Sequence, residues 1–476
     1  MTYTFGLDTF GDRNGDADGK PLSHAETIRN VAEEGVLAEQ AGVDFFGIGE
    51  HHTEDFPMPA ADVVLAAIAA RTSRIHLGSA VTVLSSDDPV RVFQRYSTLN
   101  ALSGGRAEAI IGRGSSVDSF PLFGYDLADY EQLFDEKATL FAELLKGGPV
   151  TWEGKTRAPL LNQDVVPHTE NGPFPAWIGV GGNPESVVRA ARLGYGLALA
   201  AIAARTQRIR LGSAVTVLSS DDPVRVFQRY STLNAISGGR AEVILGRGSS
   251  IESFPLFGYD LADYEELFEE KATLFAELLK GGPVTWDGKT RAPLLNQDVV
   301  PHTESGPFPA WIGVGGSPQS VVRAARLGFS LMLAIIGGPP ARFAPYSELF
   351  QRALDKFGRP PLPVGVHSPG HIAATDEQAK AEFWPRWRDI IALVAEERGF
   401  AIPTEESFDA ETGQHGALYV GAPETVAQKI ATNLRALGAT RFDLKYGMPG
   451  LTHEQLLATI ELYGHQVIPR VRELLG

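Results

Sequence analysis

The residues best suited to chemistry lie at the ends of predicted strands. The apolar strand VDFFGIG is followed directly by Glu50, His51 and His52. A histidine at a strand end can act as a general base or donate a hydrogen bond to an oxyanion. The alternative is a structural imidazole satisfied by a neighbouring carboxylate such as Glu54 or Asp55. No metal site is predicted, because adjacent residues of a strand point to opposite faces.

Two further strand ends have the composition of anion sites. The strand RAEAIIG leads into Arg113, a glycine-flanked arginine followed by serines, which suits bidentate contacts to a phosphate. The alternative is an arginine in a salt bridge at the rim of the sheet. The strand AWIGV leads into Gly182 and Asn183, a turn that opens a helix whose N-terminus favours an anion. Together the two ends predict a cofactor that carries a phosphate.

A long internal repeat dominates the chain. The segment 65–198 recurs as 199–332, shifted by 134 positions, so the anion sites recur as Arg247 and as Gly316 with Ser317. The period is too long for a solenoid, since each copy contains several strands and helices. The predicted parts are strands 1–2 of a barrel (1–64), two copies of strands 3–5 (65–198 and 199–332), and strands 6–8 with C-terminal helices (333–476).

The order of elements predicts an α/β fold. Each copy runs βαβαβα, with near-continuous apolar strands and helices that begin at Asp-Pro, Asn-Pro or an equivalent cap. Counting one copy, eight strand–helix pairs indicate a (β/α)8 TIM barrel that carries an extra βαβαβα block. The alternatives are an enlarged barrel of about eleven strands, or surplus strands that pair with another chain. Too few residues separate the copies for a full strand and helix at the join.

Composition excludes several classes of protein. With no cysteine, the chain has no disulfides, thiolate metal sites or cysteine nucleophiles. The formal net charge of −16 argues against nucleic acid or an anionic membrane as the main partner. The N-terminus lacks the pattern of a signal peptide, and no apolar run is long enough to span a bilayer. We therefore expect a cytoplasmic protein.

Three motifs carry a family resemblance. GIGEHHTEDF, GSAVTVLSSDDPVRVFQRYSTLNALSGGRAEAIIGRGSS and WIGVGGNPES resemble the flavin-dependent oxidoreductases related to bacterial luciferase. The resemblance covers the chain outside the duplicated copy, although the family lacks the duplication. It implies a (β/α)8 barrel that uses reduced FMN, or in one branch F420, and that is often a homodimer.

The resemblance also implies roles for particular residues. His51 matches the catalytic histidine, with Glu50 beside it among the cofactor-binding residues. Arg113 or Arg247 matches the arginine that binds the flavin phosphate. Gly182 with Asn183, or Gly316 with Ser317, matches the phosphate-binding turn. Ala80 or Ala214 matches the strand end where the family has a non-prolyl cis peptide beneath the flavin ring.

These matches lead to an expected activity. The expected enzyme is an FMN-dependent monooxygenase that acts on a small organic molecule and receives reduced flavin from a separate reductase. The alternatives are an F420-dependent enzyme of hydride transfer and a catalytically silent scaffold produced by recombination or engineering.

Overall fold

The computed structural model describes residues 6–16, 18, 20–112, 119–169, 172–178, 206–247, 254, 257, 259–304, 306–398 and 402–476. The chain divides into two compact units, Met1–Pro309 and Ala310–Gly476. The join between the two copies of the repeat lies outside the described residues.

The first unit contains the predicted strands 1–5 and most of the second copy. Its strands are β1 (Gly6–Thr9), β2 (Phe45–Ile48), β3 (His76–Ser79), β4 (Thr82–Val83), β5 (Ala107–Gly112), β6 (Val150–Trp152), β7 (Leu160–Gln163), β8 (Ala176–Ile178), β9 (Ala214–Val217), β10 (Val243–Gly246), β11 (Val284–Trp286) and β12 (Leu294–Gln297). Its helices are α1 (His24–Gln40), α2 (Ala61–Ala69), α3 (Pro89–Ser103), α4 (Ser119–Phe123), α5 (Tyr130–Leu145), α6 (Pro223–Ile236) and α7 (Tyr264–Leu278).

Parallel pairing confirms the predicted α/β class. Strands β1, β2, β3, β5 and β8 pair in that order as a curled half-barrel, with β4 also on β5. Strands β9 and β10 of the second copy form another parallel pair. Among the described strands, the two copies therefore contribute to different sheets, and no single ring of eleven strands contains them.

The second copy also packs on the first unit's N-terminal helices. Helix α6 contacts both α1 and α2. The described residues of the extra block up to Pro309 thus share the first unit with the first copy.

Local sequence explains how the repeated helices start. In α3 and α6, Asp88 and Asp222 cap the helix by accepting hydrogen bonds from backbone amides of the first turn, and a proline follows each. The segments that follow α5 and α7, where the βαβαβα pattern predicts no strand, form the antiparallel hairpins β6–β7 and β11–β12.

The second unit contains the predicted strand 5 of the second copy, followed by the predicted strands 6–8 and the C-terminal helices. Its strands are β13 (Ala310–Val314), β14 (Ser330–Ala334), β15 (Val364–Ile372), β16 (Tyr419–Gly421) and β17 (Arg441–Lys445), all paired in parallel. Its helices are α8 (Pro318–Leu327), α9 (Ala344–Lys356), α10 (Asp376–Arg398), α11 (Glu405–Thr412), α12 (Pro423–Leu437), α13 (His453–Leu462) and α14 (Ile468–Leu475). Among the described residues, no helix is long and apolar enough to cross a membrane.

Candidate active site

The carboxyl ends of β2 and β3 meet around Ala80. The Ala80 amide donates to the carbonyl of Ile48 at 2.9 Å, and the Glu50 amide donates to the carbonyl of Val81 at 2.9 Å. A Cβ on Gly49 would lie 2.9 Å from the Ala80 carbonyl oxygen, so only glycine permits this approach. The peptide bond between Ala80 and Val81 is cis, as the resemblance implied for Ala80. This strand end therefore lies against the segment that begins at Glu50.

His51 contacts two aromatic side chains at the same end of the sheet. Its ring centroid is 5.0 Å from that of Phe10, in an edge-on arrangement, and 5.3 Å from that of Phe56. Its backbone amide donates to the carbonyl of Met58 at 3.2 Å. The residue is half-buried, and these contacts hold the ring in place.

Glu50 and His52 flank His51 and are both buried. Glu50 Oε1 lies 2.9 Å from His52 Nε2, and Glu50 Oε2 accepts a hydrogen bond of 3.0 Å from the Val83 amide. Burial alone would raise the pKa of Glu50, but the hydrogen bond from His52 and the charge of Arg225 hold it below its usual range. Both carboxylate oxygens of Glu50 therefore hold protein groups in the described structure.

A buried network of charges, which the sequence did not reveal, lies behind Glu50. Arg225 of the second copy is 3.7 Å from Glu50 Oε1 and 3.2 Å from Asp87, and Arg95 also pairs with Asp87. Burial opposes ionisation of Asp87, yet the charges of Arg225 and Arg95 hold its pKa well below the usual range. Burial raises the pKa of Asp62, although Arg95 opposes the shift. The recurring Asp-Asp-Pro with arginines one and two turns later is the only sequence signal for it.

The candidate phosphate-binding residues lie in different parts of the chain. Arg113, Gly182 and Asn183 lie outside the described residues. In the first unit, Arg247 pairs with Glu265 and lies 5.1 Å from the ring centroid of Tyr264. Ala214 begins β9.

In the second unit, Gly316 and Ser317 precede α8. Gly316 has φ +136°, and no heavy atom lies within 4 Å of a Cβ built on either Gly315 or Gly316. The Ser317 hydroxyl accepts from the Ser320 amide at 3.3 Å and caps the helix. This turn leaves open space at a helix N-terminus, a setting that fits a phosphate group. The structure thus groups Glu50, His51 and Ala80 in the first unit and Gly316 with Ser317 in the second.

The fold and these strand ends define an α/β protein with a polar site at the carboxyl ends of parallel strands. The profile of the luciferase-like monooxygenase family matches residues 10–201 and again 197–441. The chain belongs to this family. The two matches overlap the two copies of the repeat.

Individual relatives include enzymes of two kinds. The chain is 32% identical over 202 residues to protein y4wF of Sinorhizobium fredii, covering 41% of this chain and 56% of that one. It is 26% identical over 288 residues to the F420-dependent glucose-6-phosphate dehydrogenase of Nakamurella multipartita, covering 58% and 82%. It is 30% identical over 115 residues to the alkanal monooxygenase alpha chain of the Kryptophanaron alfredi symbiont, covering 24% and 32%. The chain thus spans about half the length of a relative such as y4wF.

Proposed function

We propose that the chain is a flavin-dependent monooxygenase that uses reduced FMN and oxygen to oxidise a small organic molecule. The observation that carries the proposal is the hydrogen bonding of the Ala80–Val81 strand end to Ile48 and Glu50, next to His51, in a member of the luciferase-like monooxygenase family. Reduced FMN, when bound, would supply the electrons that activate oxygen. A separate flavin reductase would supply the reduced cofactor.

Each residue of the site has a distinct proposed role. Ala80 would lie beneath the flavin ring, and Arg113 or Arg247 together with a glycine-rich turn would bind its phosphate. His51 would donate a hydrogen bond or move a proton at a ring nitrogen. Phe10 and Phe56 contact the His51 ring and would hold it in place.

A second candidate is hydride transfer with F420. The favouring observation is the F420-dependent dehydrogenase relative, which aligns over 82% of its own length. The two candidates share the same barrel and differ in the cofactor, so binding separates them.

The deciding experiment is an anaerobic titration of the whole chain with reduced FMN and, separately, with reduced F420. One tightly bound FMN per chain, with F420 at least tenfold weaker, is the expected result. The reverse preference would favour hydride transfer. Binding of neither would leave a catalytically silent scaffold and refute both enzyme proposals.

Substitutions then assign the roles. His51→Gln should keep FMN affinity and lower kcat by about 10²- to 10⁴-fold, the usual contribution of a general acid or base. His168→Gln is the matched control, because His168 is exposed and pairs only with Asp164 among its described contacts. Arg113→Ala compared with Arg247→Ala shows which copy of the repeat binds the phosphate.

A further inference from the structure

The two copies of the repeat meet through contacts that each makes to the other. Arg91 of α3 and Arg225 of α6 occupy equivalent positions, 134 residues apart. Arg91 donates to the carbonyl of Ser220 at 2.5 Å, and Arg225 donates to the carbonyl of Ser86 at 2.7 Å. Since Ser86 and Ser220 are also equivalent, the contact is reciprocal, as in a two-fold symmetric interface.

Other contacts of these arginines follow the same symmetry. Arg91 lies 3.3 Å from Asp221 and 3.8 Å from the ring centroid of Phe257. Arg225 makes the equivalent contacts, 3.2 Å to Asp87 and 3.7 Å to the ring centroid of Phe123. The two copies therefore face each other as two subunits of a dimer would.

The symmetry is broken next to the candidate active site. Gln94 of α3 donates to the carbonyl of Val166, and the equivalent Gln228 of α6 donates to the carbonyl of Val300. Gln228 alone also contacts His52 Nδ1, at 3.1 Å. The chain has one Glu50–His52 segment, and within the first unit that segment lies against the second copy.

We infer that the second copy acts as a built-in partner for the first, and that Gln228 and Arg225 are positioning residues for the segment Glu50–His52. The consequence for His51 rests on the proposed function. The duplication then has a defined role, because Arg225 and Gln228 of the second copy supply in the same chain what a symmetry-related subunit would supply across an interface.

The donors and acceptors around His52 explain how Gln228 positions the segment. The amide nitrogen of Gln228 has two hydrogens, one for Val300 and one for His52 Nδ1. With Nδ1 as acceptor, the neutral His52 ring carries its proton on Nε2 and donates it to Glu50 Oε1 at 2.9 Å. Glu50 Oε2 in turn holds the Val83 amide. Both neighbours of His51 are thus fixed through one chain of hydrogen bonds.

The two equivalent glutamines differ in burial. Gln228 is 1% exposed, whereas Gln94 is half-buried and its bond to Val166 is at the surface. Helix α1 packs on α6, and its residue Arg29 donates to the carbonyl of Ala235 in α6 at 3.4 Å. The pair Gln228 and Gln94 therefore forms a natural matched control.

The test compares Gln228→Met with Gln94→Met in the full chain. Methionine keeps the length of glutamine and removes both amide hydrogens. Nitrogen-15 spectra of the histidine rings, recorded without cofactor, should show His52 as the Nε2–H tautomer in the wild type. Gln228→Met should shift these signals, and Gln94→Met should leave them in place.

Kinetics with reduced FMN gives the second readout. Gln228→Met should lower kcat by about 10- to 100-fold, the loss expected when a reacting group is misplaced by roughly an ångström. The KM and the FMN affinity should change less than about threefold, because the variant touches neither cofactor nor substrate. Gln94→Met should match the wild type in every measurement.

Each outcome bears on one proposal at a time. If His52 keeps its signals in Gln228→Met, or if Gln94→Met causes the same change, the positioning role is wrong. If the wild type binds no flavin, the proposed function fails while the ring spectra still decide the inference. Should Gln228→Met not fold, Arg225→Lys compared with Arg91→Lys makes the same comparison through Glu50, and equal effects of the two would overturn the inference.

Discussion

Two buried lysines should make the stability of the first unit depend on pH. Lys137 of α5 and Lys271 of α7 are equivalent residues of the two copies, and each is 1% exposed. The Lys137 ammonium donates to the carbonyl of Ser85, and the Lys271 ammonium donates to the carbonyl of Ser219, each at 2.7 Å. Burial lowers the pKa of Lys137 to about 7 and that of Lys271 to about 8, and nearby aspartates offset the shift only in part.

The direction of this pH dependence follows from how many protons the folded and the unfolded chain bind. Between the folded pKa values and about 10.5, the unfolded chain binds more protons than the folded chain, so the free energy of unfolding rises with pH. At about 1.4 kcal/mol per tenfold change in proton affinity, the two lysines together should add about 5 kcal/mol between pH 7 and 9.5. Lys137 should contribute about 3 kcal/mol of this and Lys271 about 2 kcal/mol, because the pKa of Lys137 is lower.

Urea unfolding followed by far-UV circular dichroism, at constant ionic strength from pH 7 to 9.5, measures the effect. Lys137→Met should remove the larger share of the pH dependence, and Lys271→Met the smaller. Lys146→Met is the control, since Lys146 is exposed and pairs with Glu143 on the surface. Variants of Lys137 and Lys271 whose stability rises with pH as steeply as the wild type would refute the reasoning.

Two further substitutions, one in each unit, test local packing. Gly49→Ala should destabilise the chain by about 1–3 kcal/mol through overpacking against the Ala80 carbonyl, and it should weaken FMN binding. Gly464→Ala, where no atom lies within 4 Å of the added Cβ, should change neither stability nor FMN binding. Thermal unfolding and anaerobic titration measure the two effects, and the same result for both variants would contradict the site geometry. Lys429→Met removes an ammonium that lies within hydrogen-bond distance of four backbone carbonyls in the second unit, and it should cost about 3 kcal/mol of stability. Lys380→Met, at a partly exposed lysine that pairs with Asp409, should cost less than about 1 kcal/mol. Denaturant midpoints measure both, and equal losses would show that the carbonyls find other donors.

Local sequence determined the elements that short-range physics controls. Asp88 followed by Pro89 predicts the start of α3, because a carboxylate can cap the first turn and proline there loses no hydrogen bond. Continuous apolar runs predict parallel strands covered on both faces, and β2, β3 and β5 pair in that way. The hairpin β6–β7 escaped prediction because its strands are short and partly exposed, so they show no apolar run.

The sequence likewise determined one part of the candidate site, and tertiary structure determined the rest. The sequence placed Glu50 and His51 at a strand end, and the family resemblance placed Ala80 or Ala214 at another. Such residues are expected to lie close together, since side chains that follow parallel strands gather at one edge. The sequence could not show that Gln228, 176 residues further along the chain, contacts His52. Two nearly identical copies present the same residues at the same spacing, so the pattern of residues cannot say which copy faces the segment. Only tertiary packing of α6 on α1 and α2 decides that, because burial and hydrogen-bond partners depend on neighbours distant in the chain.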